Sequence, residues 1–502
     1  MGKPAKAIMI QGTMSNVGKS LLTAGLCRIF RQDGYRVAPF KSQNMALNSF
    51  VTEDGLEIGR AQAMQCEAAG IPPSVWVNPV LLKPTSEKGS QVIVLGKSIG
   101  PMDAASYFSY KKQLIPTIRQ AYDILAEEYD ILVLEGAGSP AEINLKQGDI
   151  VNMGMAQMAK APVLLVGDID RGGVFASLAG TLSLLDESER PLVKGTIINR
   201  FRGDPALLRP GLHMLEDLTR IPVLGVVPYL PLHLDAEDSL SFHPRQSGQA
   251  ALDLVVIRFP HLSNDTDFAP LERLETVRVR YVSSVLEWGH PDAILLPGTK
   301  STLSDLRWMR ETGLGPLIQA QAARGVPVFG ICGGYQMLGK QVDDPYGEDG
   351  GGSLPGMGLL PTCTQFAREK TTRRTKAVCR AISGAFGPLS GVAAEGYEIH
   401  MGQTYLLPGA NPFLQTQDGQ PEGAFQDTVA GTYLHGIFDR AGFTEAFLSA
   451  VWQAKGMPPE AFSLRAQDTA ANKEQQFDHL AQALRDSLDL PAVYRILEEG
   501  IV

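Results

Sequence analysis

Short apolar runs ending on Gly, Asp or Glu recur along the chain, and they limit its fold more than any other feature. Ala7–Ile10, Ile131–Leu134, Val163–Val166, Val193–Ile198 and Val223–Val227 are too short for helices and largely apolar, Lys194 and Thr196 being the polar interruptions. Buried strands of a parallel sheet read this way. The intervals between them hold helical patterns long enough to cross over a sheet. A polar, weakly periodic stretch from about 233 to 250 interrupts the series. It then resumes with Leu254–Ile257, Val277–Val282, Ala293–Leu296, Val328–Ile331 and Val429–Tyr433. The expected fold is α/β, with two doubly wound open sheets and a helical C-terminal tail. The expected boundaries are 1–232, a linker at 233–250, 251–443, and an extension at 444–502. In that extension Phe477, Leu480, Ala481, Leu484 and Leu488 share one helix face.

Composition narrows the function classes. A net charge of −9 gives no global electrostatic case for nucleic acid. No apolar run approaches the length of a membrane span, and no leader is visible at the start. The five cysteines, Cys27, Cys66, Cys332, Cys363 and Cys379, are odd in number and contain no CxxC pair. That spacing argues for a reducing compartment and against a disulfide framework. Cys27 falls in an apolar helical pattern, as a core residue would. The expectation is a cytoplasmic protein with no membrane partner. Nothing in the sequence fixes its oligomeric state.

The first strand runs into Gly12-Thr13-Met14-Ser15-Asn16-Val17-Gly18-Lys19-Ser20, and a helix opens at Ser20. Backbone N–H groups of such a loop, with the helix N-terminus behind them, meet phosphate charge. Gly12, Thr13, Asn16, Val17, Gly18, Lys19 and Ser20 are therefore the candidate ATP-binding residues. Lys19 is suited to the outer phosphates and the Ser20 hydroxyl to Mg²⁺. A magnesium site needs a carboxylate at a nearby strand tip. Glu135 is the first choice and Asp168 the second, with Asp170 and Glu57 weaker. A lone acid there also reads as a helix cap. Five residues, rather than the common four, separate Gly12 from Gly18. This longer loop resembles that of dethiobiotin synthetase and its relatives, whose chemistry phosphorylates a carboxylate. The resemblance implies an adenine contact for Asn199 in Asn199-Arg200, where an ordinary loop asparagine reads equally well.

In the second series, Pro327-Val-Phe-Gly-Ile-Cys332-Gly333-Gly334 is a strand, a cysteine, then glycines opening a helix. That is a nucleophile elbow carrying sulfur. The helix N-terminus favours the thiolate, and the Gly333 N–H is placed for an oxyanion. Gly298, at the end of a neighbouring strand, is the candidate second donor. Of eight histidines, His435 is the candidate base and His400 its competitor. The combination resembles the triad-type glutamine amidotransferases. Those enzymes carry a glutamate two residues after the histidine; here Ile437 stands there. A Cys332–His435 dyad is the expectation, its third group missing or supplied from elsewhere.

Pro39–Asn48, Gly59–Gln62, Val80–Pro84, Glu135–Asn144, Asp168–Phe175 and Gly396–His400 together resemble the cobyric acid synthase family. That resemblance implies ATP- and glutamine-dependent amidation of four carboxylates, b, d, e and g, of adenosylcobyrinic acid a,c-diamide. An acyl phosphate would be the intermediate, and glutamine and the corrinoid would be the partners. Cobyrinic acid a,c-diamide synthase, with the same two domain types, is the alternative. A partner-switching ATPase is the reading from another class, and it leaves Cys332 and His435 idle. Lys41, Gln43, Asn44, Lys83 and Arg171 are the candidate corrinoid-binding residues. The basic run Arg368–Lys376 reads as a solvated face.

Overall fold

The computed structural model describes residues 5–86, 89–232, 234 and 250–501. The chain divides into two compact units. The first comprises Met1–Ala46, Leu56–Glu237 and Lys473–Val502; the second comprises Leu47–Gly55 and Asp238–Asn472.

The first unit is built on a six-stranded sheet, wholly parallel, in the order Val223–Pro228, Val193–Phe201, Val163–Asp168, Lys6–Gly12, Ile131–Glu135, Val37–Phe40. Lys6–Gly12 lies at its centre and is buried from Ala7 onward. The loop after it therefore opens at the carboxyl ends of the strands, where α/β sheets bind ligands. A smaller sheet, Gln43–Met45, Val80–Ser86, Gly89–Val94 and Lys97–Asp103, was not anticipated. Its antiparallel hairpins lack long apolar runs, so the pattern that revealed the main strands is absent from them.

The second unit has its own six-stranded sheet, in the order Val277–Val282, Leu252–Ile257, Ala293–Leu296, Val328–Ile331, Val429–Thr432, Ala424–Gln426. Only the last strand is antiparallel. Beside it lies a largely antiparallel sheet dominated by the long pair Thr362–Cys379 and Ala393–Leu406. Both strands are half-buried, with mixed rather than uniform polarity, which hid them from an apolar-run search.

The expected extension at 444–502 is not one body. Ala441–Ala454 buries Phe443, Phe447, Leu448 and Val451 in the core of the second unit. From Lys473 onward the chain belongs to the first unit. There Phe477, Leu480, Leu484 and Val493 join Leu22, Leu26, Ile29 and Phe30 in one apolar cluster. The helical face seen in the sequence is the face buried, against Lys19–Gln32. Arg28 fixes the arrangement by pairing with Glu474 and Asp478, each at 2.8 Å. The expected linker at 233–250 falls almost wholly outside the described residues. No described helix is long and apolar enough to cross a membrane.

Candidate functional site

Two clusters of polar side chains form, one in each unit. In the first, Gly12–Ser20 connects the central strand to the helix Lys19–Gln32. Gly18 caps that helix at φ +97°, a left-handed conformation costly to residues with a Cβ. A Cβ there would also stand 2.2 Å from Nδ2 of Asn199. Asn199 donates to the Val17 carbonyl at 2.8 Å, bracing the loop from beneath. Lys19 is buried and folds over the loop, donating to the carbonyls of Met14 and Gly138 at 3.0 Å each.

Ser20 and Glu135 converge beside this loop, the hydroxyl donating to the carboxylate at 2.8 Å. Lys41 pairs with the same oxygen at 3.1 Å, and Gln65 donates to the other at 2.6 Å. Two hard oxygen donors at the mouth of a phosphate loop fit a magnesium ion that keeps most of its waters. Asp168 is engaged differently: Arg200 holds it at 3.0 Å, and it accepts the Asp170 N–H at 2.9 Å. The candidate substrate residues are mostly turned inward. Lys41 is buried against Glu135, and Lys83 is buried against Glu57 at 3.0 Å. Asn44 donates to Gln62 at 2.8 Å, and Gln43 accepts from the Tyr107 hydroxyl at 2.5 Å. Arg171 is exposed, 3.8 Å from Asp168.

The second cluster surrounds Cys332. This residue ends the strand Val328–Ile331 and caps the helix Gly333–Leu338 at φ +51°, ψ −110°. Such strain in a residue with a Cβ belongs to a sharp strand-to-helix turn. Gly334 donates to the Pro297 carbonyl at 3.0 Å, tying the helix start to the Ala293–Leu296 strand end. Gly298, next along, lies so near the His435 ring that a Cβ would come within 2.8 Å of Cε1. His435 follows the strand Val429–Thr432 and is buried.

A third group is present. Asp267, in the short turn Asp265–Phe268, meets Nδ1 of His435 at 2.7 Å. Its other oxygen accepts the Gly436 N–H at 2.7 Å. Of the two alternatives the sequence left open, a third group missing or supplied from elsewhere, the geometry matches the second: the acid precedes the histidine by 168 residues. Burial opposes charge on His435, but Asp267 and Cys332 more than offset it, and the imidazole is pushed up to about 10. The competitor His400 is committed elsewhere. Its Nδ1 lies 2.7 Å from the Gly402 carbonyl, its Nε2 3.4 Å from Glu398, and its ring stacks on Tyr433.

A cleft of about 560 Å³ adjoins this cluster, lined by Tyr335, Arg373, Glu398, His400, Tyr405 and Tyr433 among others. Between Glu398 and His400 stands Ile399, whose carbonyl lies 3.9 Å from the Cys332 sulfur. Burial works to raise the Glu398 carboxyl, yet His400, Thr375 and Arg373 hold it down at about 2. Arg373 forks onto it at 2.9 and 3.2 Å. That arginine belongs to the run read from sequence as a solvated face; the strand alternation that turns it toward Glu398 was not visible there.

Residues 8–239 match the CobQ/CobB/MinD/ParA nucleotide binding domain, and residues 253–443 match the CobB/CobQ-like glutamine amidotransferase domain. Over 99% of its length the chain is 55% identical to the cobyric acid synthase of Ruminiclostridium cellulolyticum, covering 98% of that protein. The chain belongs to the cobyric acid synthase family. The same family name is carried by a protein of Lachnoclostridium phytofermentans, 52% identical over 99% of this chain and 100% of that one. One of Yersinia enterocolitica is 52% identical over 98% of each. Each of these cobyric acid synthase alignments runs through both matched domains of the present chain. Among its described residues no group of three or more His, Cys, Asp or Glu side chains forms a metal cluster. The oxygen pair of Ser20 and Glu135 remains the place suited to a nucleotide-borne cation.

Proposed function

We propose that this chain is a glutamine-hydrolysing cobyric acid synthase whose ATP site lies at Gly12–Ser20 and whose glutaminase site lies at Cys332. The carrying observation is the His435 imidazole set between the Cys332 thiol and the Asp267 carboxylate. That arrangement makes an activated nucleophile, in which a base takes the thiol proton and an acid orients the base. The thiolate attacks the side-chain amide carbon of glutamine, and the Gly333 and Gly298 N–H groups face the developing oxyanion. His435 then gives its proton to the departing ammonia, and water releases glutamate from the sulfur. The adjoining cleft suits the amino-acid end of glutamine, with Glu398 for the ammonium and Arg373 for the carboxylate.

In the first unit, Lys19 turns from the loop carbonyls to the outer phosphates of ATP, and backbone N–H groups of Gly12–Lys19 hold the rest. Ser20 and Glu135 are the residues that would hold Mg²⁺, which would supply positive charge against the transferring phosphoryl group. A corrinoid carboxylate attacks that phosphorus and ADP leaves. Ammonia then displaces phosphate from the acyl phosphate, giving the amide. The b, d, e and g carboxylates of adenosylcobyrinic acid a,c-diamide are the proposed acceptors, and Arg171 is the exposed candidate to meet them. The five free thiols suit a cytoplasmic enzyme.

The substitution Asp267→Asn tests the triad. The Gly436 N–H can only donate, so it keeps the amide oxygen of the new side chain on its own side. The NH₂ group then faces Nδ1, which moves the imidazole proton to Nε2, the wrong nitrogen to accept from sulfur. Glutaminase kcat/KM falls by about 10² to 10⁴-fold, while ammonia-supported amidation is preserved. Glutaminase within a few-fold of wild type would remove Asp267 from the mechanism.

A further inference from the structure

The second unit includes nine residues, Leu47–Gly55, whose flanking sequence on both sides belongs to the first. This segment packs against the turn that carries Asp267. Oδ1 of Asn48 accepts the Asn264 N–H at 2.8 Å, and its Nδ2 donates to Asp265 at 2.9 Å. The Ser49 N–H donates to Oδ1 of Asn264 at 3.1 Å, and the Ser49 carbonyl accepts the Tyr397 hydroxyl at 3.1 Å. Asn264 is buried and left-handed at φ +54°. Its Nδ2 lies 3.3 Å from Nε2 of His435, the nitrogen that must receive the thiol proton.

The orientation of the Asn264 amide is decided by chemistry. A backbone N–H cannot accept, so the oxygen must face Ser49 and the NH₂ must face His435. An NH₂ group can only donate, and it rewards an Nε2 whose lone pair is bare. We propose that Asn264, clamped by Asn48 and Ser49 of the inserted segment, is a positioning residue whose donor at Nε2 of His435 sets when that nitrogen can take the thiol proton. The proposal rests on the roles given above to Cys332 and His435.

The consequence is a pH profile of known sign. The groups facing His435 are Asp267 at Nδ1, the Cys332 thiol, the Tyr397 ring stacked at 5.3 Å, and Asn264. Asp265 stands one step away behind Asn48, its carboxyl pushed up to about 6 by burial despite the bond from Asn48. Asp267 and the thiol favour the imidazolium; burial and the Asn264 donor oppose it. The bell of glutaminase kcat/KM against pH has two apparent pKa values. Their sum measures the fully protonated pair against thiolate with neutral imidazole. Asn264 stabilises the latter alone. Removing it raises the sum, whichever tautomer the singly protonated pair adopts.

The test is glutaminase kcat/KM against pH for the full chain and three variants. Asn264→Gly deletes the amide while tolerating φ > 0. Asn264→Asp puts an oxygen anion where the donor was, and Asn48→Ala unhooks the clamp without touching His435. The centre of the bell moves to higher pH by about half a unit in Asn264→Gly. It moves further in Asn264→Asp and less, in the same direction, in Asn48→Ala. Thermal melts and ammonia-supported amidation report that each variant is folded. A bell that stays in place or moves down in any of the three overturns the proposal. Cys332→Ala separates the two levels. If it keeps glutaminase activity, the underlying assignment fails; if it loses that activity while the bells do not move, this inference alone fails.

Discussion

Replacing Cys332 by Ala abolishes glutamine-supported amidation, by at least about 10⁴-fold, and leaves ammonia-supported amidation near its original rate. The size follows from covalent catalysis. Without sulfur there is no nucleophile, and the remaining N–H groups can only polarise an amide that water attacks slowly. The selectivity follows from the fold. Cys332, His435 and Asp267 lie in one unit, whereas Lys19, Ser20 and Glu135 lie in the other. Cys332→Ser provides a companion that keeps a polar atom at the γ position in the elbow, at the same φ of +51°. Both variants are assayed with glutamine and then with ammonium as the nitrogen source. Equal loss with the two sources would refute a separate glutaminase site.

Lys19→Ala produces the opposite pattern, with amidation reduced by about 10² to 10³-fold whichever nitrogen source is used. Carboxylate activation precedes both routes, and the ammonium of Lys19 is the loop's one side-chain cation for the outer phosphates. In the structure that ammonium rests on the Met14 and Gly138 carbonyls, so triphosphate exchanges two neutral acceptors for charged ones. Glutamate release from glutamine, measured without ATP, survives in this variant. Ammonia-supported turnover at the wild-type rate would show that the loop is not the site of ATP use.

The central strands and both strand–turn–helix corners were legible because each has a local signature. Ala293–Leu296 and Val328–Ile331 are apolar runs with turn residues at their ends, Val277–Val282 is a β-branched run interrupted by Arg278 and Arg280, and the structure has all three at those bounds. Cys332 was legible because its glycines are adjacent in sequence. Asp267 was not, because its partner lies 168 residues away and no spacing rule connects them. The one available signal was the Asn264-Asp265-Thr266-Asp267 run between a strand and a helix, which reads equally as a capped turn. Lys41 and Lys83 illustrate the converse. A lysine read as part of a loop segment looks exposed until the fold supplies a buried Glu135 or Glu57 to pair with it. The long strands Thr362–Cys379 and Ala393–Leu406 were missed because one face packs while the other meets solvent, and a register shift between Phe366 and Thr371 interrupts their pairing.

The claim that matters most is that nitrogen freed by the thiol ends in the amide made with ATP. Glutamine labelled with ¹⁵N at its side-chain amide, supplied with ATP, Mg²⁺ and adenosylcobyrinic acid a,c-diamide, tests it by mass spectrometry of the corrinoid product. Every new amide carries ¹⁵N, and the label vanishes from the product when Cys332 is replaced. New amides without label, or label that persists after that replacement, would contradict it.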